Sequence, residues 1–179
     1  MEDEMVVLVN ERDEVVGSME KLGAHRTGTL HRAFSVFLFH EDGRLLLQKR
    51  AMSKYHSAGL WTNTCCSHPR PGEDLLSAAS RRLKEEMGID VPLVERFSFT
   101  YKADVGGGLQ EHEYDHVFFG MWSGAVAPNS EEVEEWRFIA PEMLADDLAR
   151  HPDRYTIWLR ECWPRVMSAL GTSVNGAHT

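Results

Sequence analysis

The chain has 179 residues, 42% hydrophobic and 26% charged, a size and balance suited to one globular domain with a buried core. Its 28 acidic residues outnumber 19 basic ones, and the formal charge of −9 excludes general nucleic-acid binding, which rests on Lys and Arg neutralising phosphates. No apolar run approaches the roughly 20 residues needed to span a bilayer, and the acidic start MEDEMVVLVNERDE lacks the features of a secretory signal, so a cytoplasmic location and no membrane partner are expected.

In chain order, MVVLVN and EVVGSM read as two short strands separated by the polar ERD. The stretch AFSVFLFHEDGRLLLQKRA has two β-rich runs around Asp42-Gly43 and predicts a hairpin. Residues 51–72, with Gly59, Pro69, Pro71 and Gly72, predict an irregular loop broken by a short strand near WTNTCC. From Glu73 to Met87 the apolar residues follow a helical stripe, with acidic residues in the first turn and Gly88 as the stop. VERFSFTYKA and EHEYDHVFFGMW are strands joined by a flexible turn at residues 105–108, and EEWRFIA is a further strand. Helices are expected at 141–150 and 155–170, the second kinked or divided by Pro164. The tail GTSVNGAHT is expected to be disordered, leaving a single domain over residues 1–170. Strands in the middle and helices towards the end predict an α+β or α/β/α layered domain rather than regular βαβ alternation.

Three cysteines cannot all pair, and Cys65 and Cys66 are adjacent, so free reduced thiols are expected. On a strand, adjacent residues face opposite sides, and only one of that pair should reach a cavity. Glu111 and Glu113 alternate by two on a predicted strand, so their carboxylates share a face while His112 points away. Such a pair suits a shared divalent cation. Isolated histidines carry little information, and His40, His56, His112, His116, His151 and His178 are read as surface or internally satisfied groups.

The segment Cys66-Ser67-His68-Pro69, then Gly72-Glu73, and the helix ending Arg81-Arg82-Leu83-Lys84-Glu85-Glu86-Met87-Gly88-Ile89 resembles the Nudix box. Two departures stand out: Ser67 replaces the opening glycine, and Arg82 replaces the glutamate that follows the arginine in the hydrolase pattern. A helix with stacked carboxylates can hold Mg²⁺ against a diphosphate. Loss of the acid at position 82 weakens a hydrolase reading specifically. With WTNTCCSHP, GEDLLSAASRRLKEEMGID, EHEYDHVF and EKLGAH…LHRAFSVFLF, the resemblance sharpens to the type I isopentenyl-diphosphate isomerases over about residues 5 to 165.

That resemblance implies a Nudix-like α/β/α domain with a mixed central sheet. It implies an enzyme interconverting isopentenyl and dimethylallyl diphosphates in isoprenoid biosynthesis, by protonating one carbon and deprotonating another. It also implies a metal site of His25, His31, His68, Glu111 and Glu113, holding Mn²⁺, Zn²⁺ or Mg²⁺. Cys66 and Glu113 become the acid–base pair, with Tyr101 beside the glutamate and Trp158 facing the positive charge. Lys21, Arg50, Lys54 and Arg82 match basic positions for the diphosphate, with Mg²⁺ bridged by Glu86. Trp61 is a second candidate for an aromatic wall. A Cys66 thiol near metal and cations is expected to have a depressed pKa. The partner is then a small diphosphate substrate, and the protein is expected to be a monomer. The competing readings are a Nudix hydrolase, which releases phosphate, and a Nudix-like module that binds a diphosphate without turnover.

Overall fold

The computed structural model describes residues 4–175, with side chains through residue 171, so His178 and the last four residues of the expected disordered tail lie outside the described residues. Helix α4 covers Ile157–Asn175 and takes in the first part of that tail.

A mixed sheet forms the middle layer. Its central strand β3, His31–Phe39, is buried along nearly its whole length, as a strand covered on both faces must be. One edge of β3 runs parallel to β8, Leu109–Met121, from His31 opposite Glu113 to Phe39 opposite Met121. β8 pairs antiparallel with β7, Val94–Gly106, through a tight turn at Gly107 and Gly108. The other edge of β3 is shared. The hairpin of β1, Met5–Val9, and β2, Val15–Glu20, touches it at Leu8 opposite His31. The short strand β6, Cys65–Ser67, pairs with Phe34 to Val36.

The hairpin expected around Asp42-Gly43 closes but does not continue. The turn forms, yet β3 and β4, Leu45–Arg50, pair only at Phe39 opposite Leu45. Beyond that point Thr64 is wedged between them: its hydroxyl accepts from Leu38 N–H at 2.9 Å and donates to Leu46 C=O at 2.6 Å. A side chain thus satisfies two buried backbone groups that a ladder would otherwise have paired. The Asn63 side-chain amide donates a hydrogen bond to Val36 C=O at 3.0 Å, and β4 turns instead to β9, Val133–Ile139, and to β5, Trp61–Thr62.

Helices cover the two faces. On one, α2, Leu75–Met87, buries Ala78, Ala79, Leu83 and Met87 against Phe34, Val36, Leu38 and Cys65. It starts later than its sequence stripe suggests, because Asp74 is the N-cap, accepting from Ser77 N–H at 3.1 Å, and Glu73 precedes the helix. It stops at Gly88, whose φ of 66° is left-handed and where a Cβ would meet Ala127 C=O at 2.6 Å, so only glycine fits. On the other face α3, Pro141–Arg150, and α4 bury Leu144, Trp158, Leu159, Cys162, Trp163 and Val166 over Phe37, Phe99, Tyr101 and Val117. Pro164 does not divide α4: apolar anchors on both sides of it hold the helix across the missing hydrogen bond.

The short helix α1, Lys21–Thr27, was not legible, since seven residues containing Gly23 carry no hydrophobic period. It nevertheless delivers fully buried His25 to the sheet. No helix among the described residues is long and apolar enough to cross a membrane.

Candidate active site

One cavity of about 270 Å³ opens where β3, β6 and β8 meet the loop after β4. Lys21, Arg50, Lys54, Cys66, His68, Arg82, Glu86, Glu111, Glu113 and Trp158 line it. The remaining sequence candidates, His25, His31 and Tyr101, stand directly behind that lining, each against Glu111 or Glu113. Trp61 does not join them; Arg137 lies 4.6 Å over its ring instead.

The alternation of β8 is as expected: Glu111 and Glu113 are buried on one face, and His112 turns to Gly28 C=O on the other. The same alternation carries a third buried acid, Asp115, that sequence reasoning passed over. Ser35 donates to Asp115 Oδ2 at 2.8 Å, and burial together with the charge of Glu113 raises its carboxyl well above the ordinary range.

His25, His31, His68 and Glu111 offer ligand atoms within 4.8 Å of one another. Two of the imidazoles are fixed in the tautomer a metal needs. His25 Nδ1 lies 2.7 Å from Lys21 C=O and His31 Nδ1 lies 2.8 Å from Thr29 C=O. A carbonyl only accepts, so both Nδ1 atoms carry a hydrogen and both Nε2 atoms are aimed into the cluster, where a metal would take their lone pairs. His31 Nε2 and Glu111 Oε2 are buried with no hydrogen-bond partner. Such groups are costly unless something meets them, and a divalent cation satisfies both. Burial acts to lower His31, but Glu113 outweighs it and the imidazole is raised, so this corner favours positive charge.

Glu113 differs from Glu111, because both of its oxygens are engaged. Oε2 is 2.7 Å from His68 Nε2, and Oε1 accepts from the Tyr101 hydroxyl. Burial alone would raise Glu113, yet the bond to His68 and the nearby imidazole of His31, 3.5 Å away, hold it well below the usual carboxylate range. Tyr101 moves the other way: burial first, then the charge of Glu113, keep the phenol protonated.

Strand β6 separates its cysteines by face. Cys65 points to the α2 side, where its thiol donates to Glu86 Oε2 at 2.8 Å, whereas Cys66 reaches the cavity. All three cysteines are free. Around Cys66 Sγ, Asn63 Oδ1 accepts at 2.9 Å, Trp158 Nε1–H donates at 3.1 Å and the Ser35 hydroxyl stands at 3.8 Å. The depressed thiol pKa expected from nearby cations is reversed: burial, then the charge of Asp115, pushes Cys66 up to about 12. Trp158 meets a cation already, with Arg50 5.1 Å over its ring.

At the opposite end Arg82 pairs with Glu85 at 2.7 Å, Glu86 at 3.0 Å and Glu132 at 3.5 Å. Lys54 pairs with Glu132 and lies 4.0 Å from Glu86. Lys21 reaches Glu4 at 3.1 Å.

One residue read as a bystander is not one. His56 is buried, with Nε2 2.9 Å from Glu111 Oε1 and its ring edge-on to Trp158. It sits in an irregular loop whose inward side chains no periodicity announces.

A NUDIX domain model matches residues 29–159. The chain is 50% identical over 177 residues to an isopentenyl-diphosphate Delta-isomerase 2 of Aromatoleum aromaticum, covering 99% of this chain and 92% of that protein. It is 51% identical over 171 residues to the isopentenyl-diphosphate Delta-isomerase of Serratia proteamaculans, covering 96% and 93%. The chain belongs to the isopentenyl-diphosphate Delta-isomerase family. Among solved structures it is similar to a Deinococcus radiodurans protein, with a TM-score of 0.77 at 23% identity over 90% of this chain and 98% of that one, a likeness of fold. The expected α/β/α Nudix architecture with a mixed sheet is therefore the observed one.

Proposed function

We propose that this protein interconverts isopentenyl diphosphate and dimethylallyl diphosphate, with Cys66 and Glu113 as the acid–base pair. The observation that carries this reading is that the Cys66 thiol and the Glu113 carboxylate, on the two strands that flank β3, open into the same small cavity with Trp158.

An alkene is a weak base, so the reaction needs an acid held against one carbon, a base against another, and little water. The Tyr101 hydroxyl, bonded to Glu113, is the proton source at the terminal alkene carbon. As that C–H bond forms, positive charge appears at the tertiary carbon beside Trp158. The adjacent methylene then loses a proton to Cys66 in its thiolate form, and its C–H electrons become the new double bond. Glu113 in its acid form returns a proton to Tyr101, so that the step ends with Cys66 as thiol and Glu113 as carboxylate. Indole N–H and the Ser35 hydroxyl are donors that stabilise sulfur when it carries charge. The roles exchange in the reverse direction. A Cys66 held protonated by burial and a Glu113 held ionised by its histidines are the starting state of the dimethylallyl-to-isopentenyl direction.

His25, His31, His68 and Glu111, with Glu113 beside them, would hold a divalent cation, Mn²⁺, Zn²⁺ or Mg²⁺; when bound it supplies fixed positive charge that orients Glu113 and tunes its acidity. Glu86 would share Mg²⁺ with the substrate diphosphate, since Mg²⁺ is commonly held by one or two carboxylates plus phosphate oxygens. Lys21, Arg50, Lys54 and Arg82 are the diphosphate's basic partners. The working unit is taken as a cytoplasmic monomer.

The test is to incubate the metal-loaded protein with isopentenyl diphosphate and follow both product and phosphate. Dimethylallyl diphosphate without phosphate release is expected. Phosphate release supports a hydrolase instead, and binding without turnover supports a non-catalytic module.

A further inference from the structure

His56 makes contacts that none of the roles above uses. Its Nε2 lies 2.9 Å from Glu111 Oε1, and its Nδ1 lies 3.1 Å from Ser57 Oγ. A carboxylate only accepts, so Nε2 carries the hydrogen, and Nδ1 accepts from the Ser57 hydroxyl. His25 Nε2 lies equally near Glu111 Oε1, at 2.9 Å, but its hydrogen is committed through Nδ1 to Lys21 C=O. Once a metal takes the Nε2 lone pair, His25 has no hydrogen left for Oε1, and His56 is the group that donates there. The other oxygen of Glu111 is the buried one without a partner.

We infer that His56 is a positioning residue of the metal site: it fixes Glu111 through Oε1 and leaves Oε2 as the ligating oxygen. Ligating carboxylates depend on such outer hydrogen bonds for their orientation. His56 is not itself part of the four-donor cluster.

The loop is built to aim this ring. Arg50 bonds both ways across the loop's base, its N–H to Leu60 C=O and its C=O from Gly59 N–H, each at 2.9 Å. The Arg50 guanidinium also bonds His56 C=O at 3.2 Å. Ser57, directly after the histidine, is held at φ 53°, a left-handed backbone that an L residue adopts only under constraint. The ring then stands perpendicular to Trp158, with centroids 5.8 Å apart, so the group that holds the metal carboxylate also braces the indole.

This inference rests on the reading that the His/Glu cluster binds a divalent metal, so Mn²⁺ affinity is the readout, not turnover. Metal-stripped wild type, His56→Ala, His56→Phe, His56→Gln and Glu111→Gln are titrated with Mn²⁺ by calorimetry, and pulsed EPR counts the coordinated imidazoles. His56→Ala and His56→Phe should weaken Mn²⁺ binding about 10–100-fold with the imidazole count unchanged. Phe keeps the ring against Trp158 and so separates packing from hydrogen bonding. His56→Gln restores an N–H donor and should recover most of the affinity. Undiminished binding in both His56→Ala and His56→Phe overturns the inference, as does loss of one coordinated imidazole, which would make His56 a ligand. Failure of wild type to bind Mn²⁺ more tightly than Glu111→Gln overturns the metal reading itself and this inference with it.

Discussion

The two ends of the cavity solve their charge in opposite ways. At the His/Glu end, donors from α1, β3, β8 and the residue after β6 leave His31 Nε2 and Glu111 Oε2 buried without partners. At the other end Lys54 and Arg82 are already paired with Glu86 and Glu132. The first end is preorganised for a cation, while the second, in the function proposed above, exchanges carboxylates for phosphate oxygens as substrate arrives. Preorganisation stabilises charge without reorganisation at the moment of reaction, and exchangeable pairs permit release. A cycle that ends in product release has use for both.

The largest effects should come from the acid–base pair. Cys66→Ala and Glu113→Gln are each expected to lower kcat by about 10³ or more, within the range of general acid–base contributions. Cys65→Ala should keep turnover, because Cys65 faces α2 and not the cavity. Steady-state assays of the three variants check this, and equal loss in both cysteine variants would break the distinction between the faces of β6.

At the exchangeable end the effects should be smaller and lie in binding. Arg82→Ala should raise KM by about 10–100-fold with a lesser change in kcat, as loss of a charge-assisted hydrogen bond worth about 1.5–3 kcal/mol implies. Glu132→Gln should do the reverse: freeing Lys54 and Arg82 should tighten Mg²⁺-free pyrophosphate binding by about threefold, the scale of a partly exposed ion pair. Calorimetric titration with pyrophosphate separates the two. A mutation at Glu132 that weakens binding would mean that the acid positions the cations and does not compete for them.

The smallest effect concerns stability. Asp115 has a folded pKa raised above its unfolded value by burial and by Glu113, so the stability it contributes is complete below the unfolded pKa and is lost as pH rises through the folded one. Asp115→Asn keeps an acceptor for Ser35 and removes that loss. It should raise Tm at pH 7, with the gain shrinking as pH falls towards about 4. A pH series of melting curves measures it; a gain that grows on acidification would reverse the sign.

Much of this was legible in the sequence because its signals are periodic. The shared face of Glu111 and Glu113 followed from alternation by two, and strand geometry allowed only one of Cys65 and Cys66 to reach a cavity, the family resemblance pointing to Cys66; Asp115 obeys the same alternation and needed only one more step along it. The Nudix-box helix was visible from its apolar stripe and its glycine stop. What stayed hidden depends on contacts distant in sequence. Thr64 parts β3 from β4 with a hydroxyl, against a strong local hairpin signal. The helix that carries His25 is too short to have a period, although His25 itself was a candidate, and His56 hangs in a loop whose conformation is set by left-handed Ser57 and by Arg50. The Cys66 thiol was misjudged for a related reason: sequence reveals neighbouring cations, whereas burial, which decides the shift, is a property of the fold.

The central claim is that exchangeable protons on Tyr101, Glu113 and Cys66 are added to and taken from the substrate. The direct measurement is to run the reaction with isopentenyl diphosphate in D₂O and locate deuterium in the dimethylallyl diphosphate formed at early times. One deuterium in a methyl group of the product is predicted, since thiol, phenol and carboxyl hydrogens exchange with solvent. Product formed at the same rate with no deuterium would mean that hydrogen moves within the substrate, and would contradict the account.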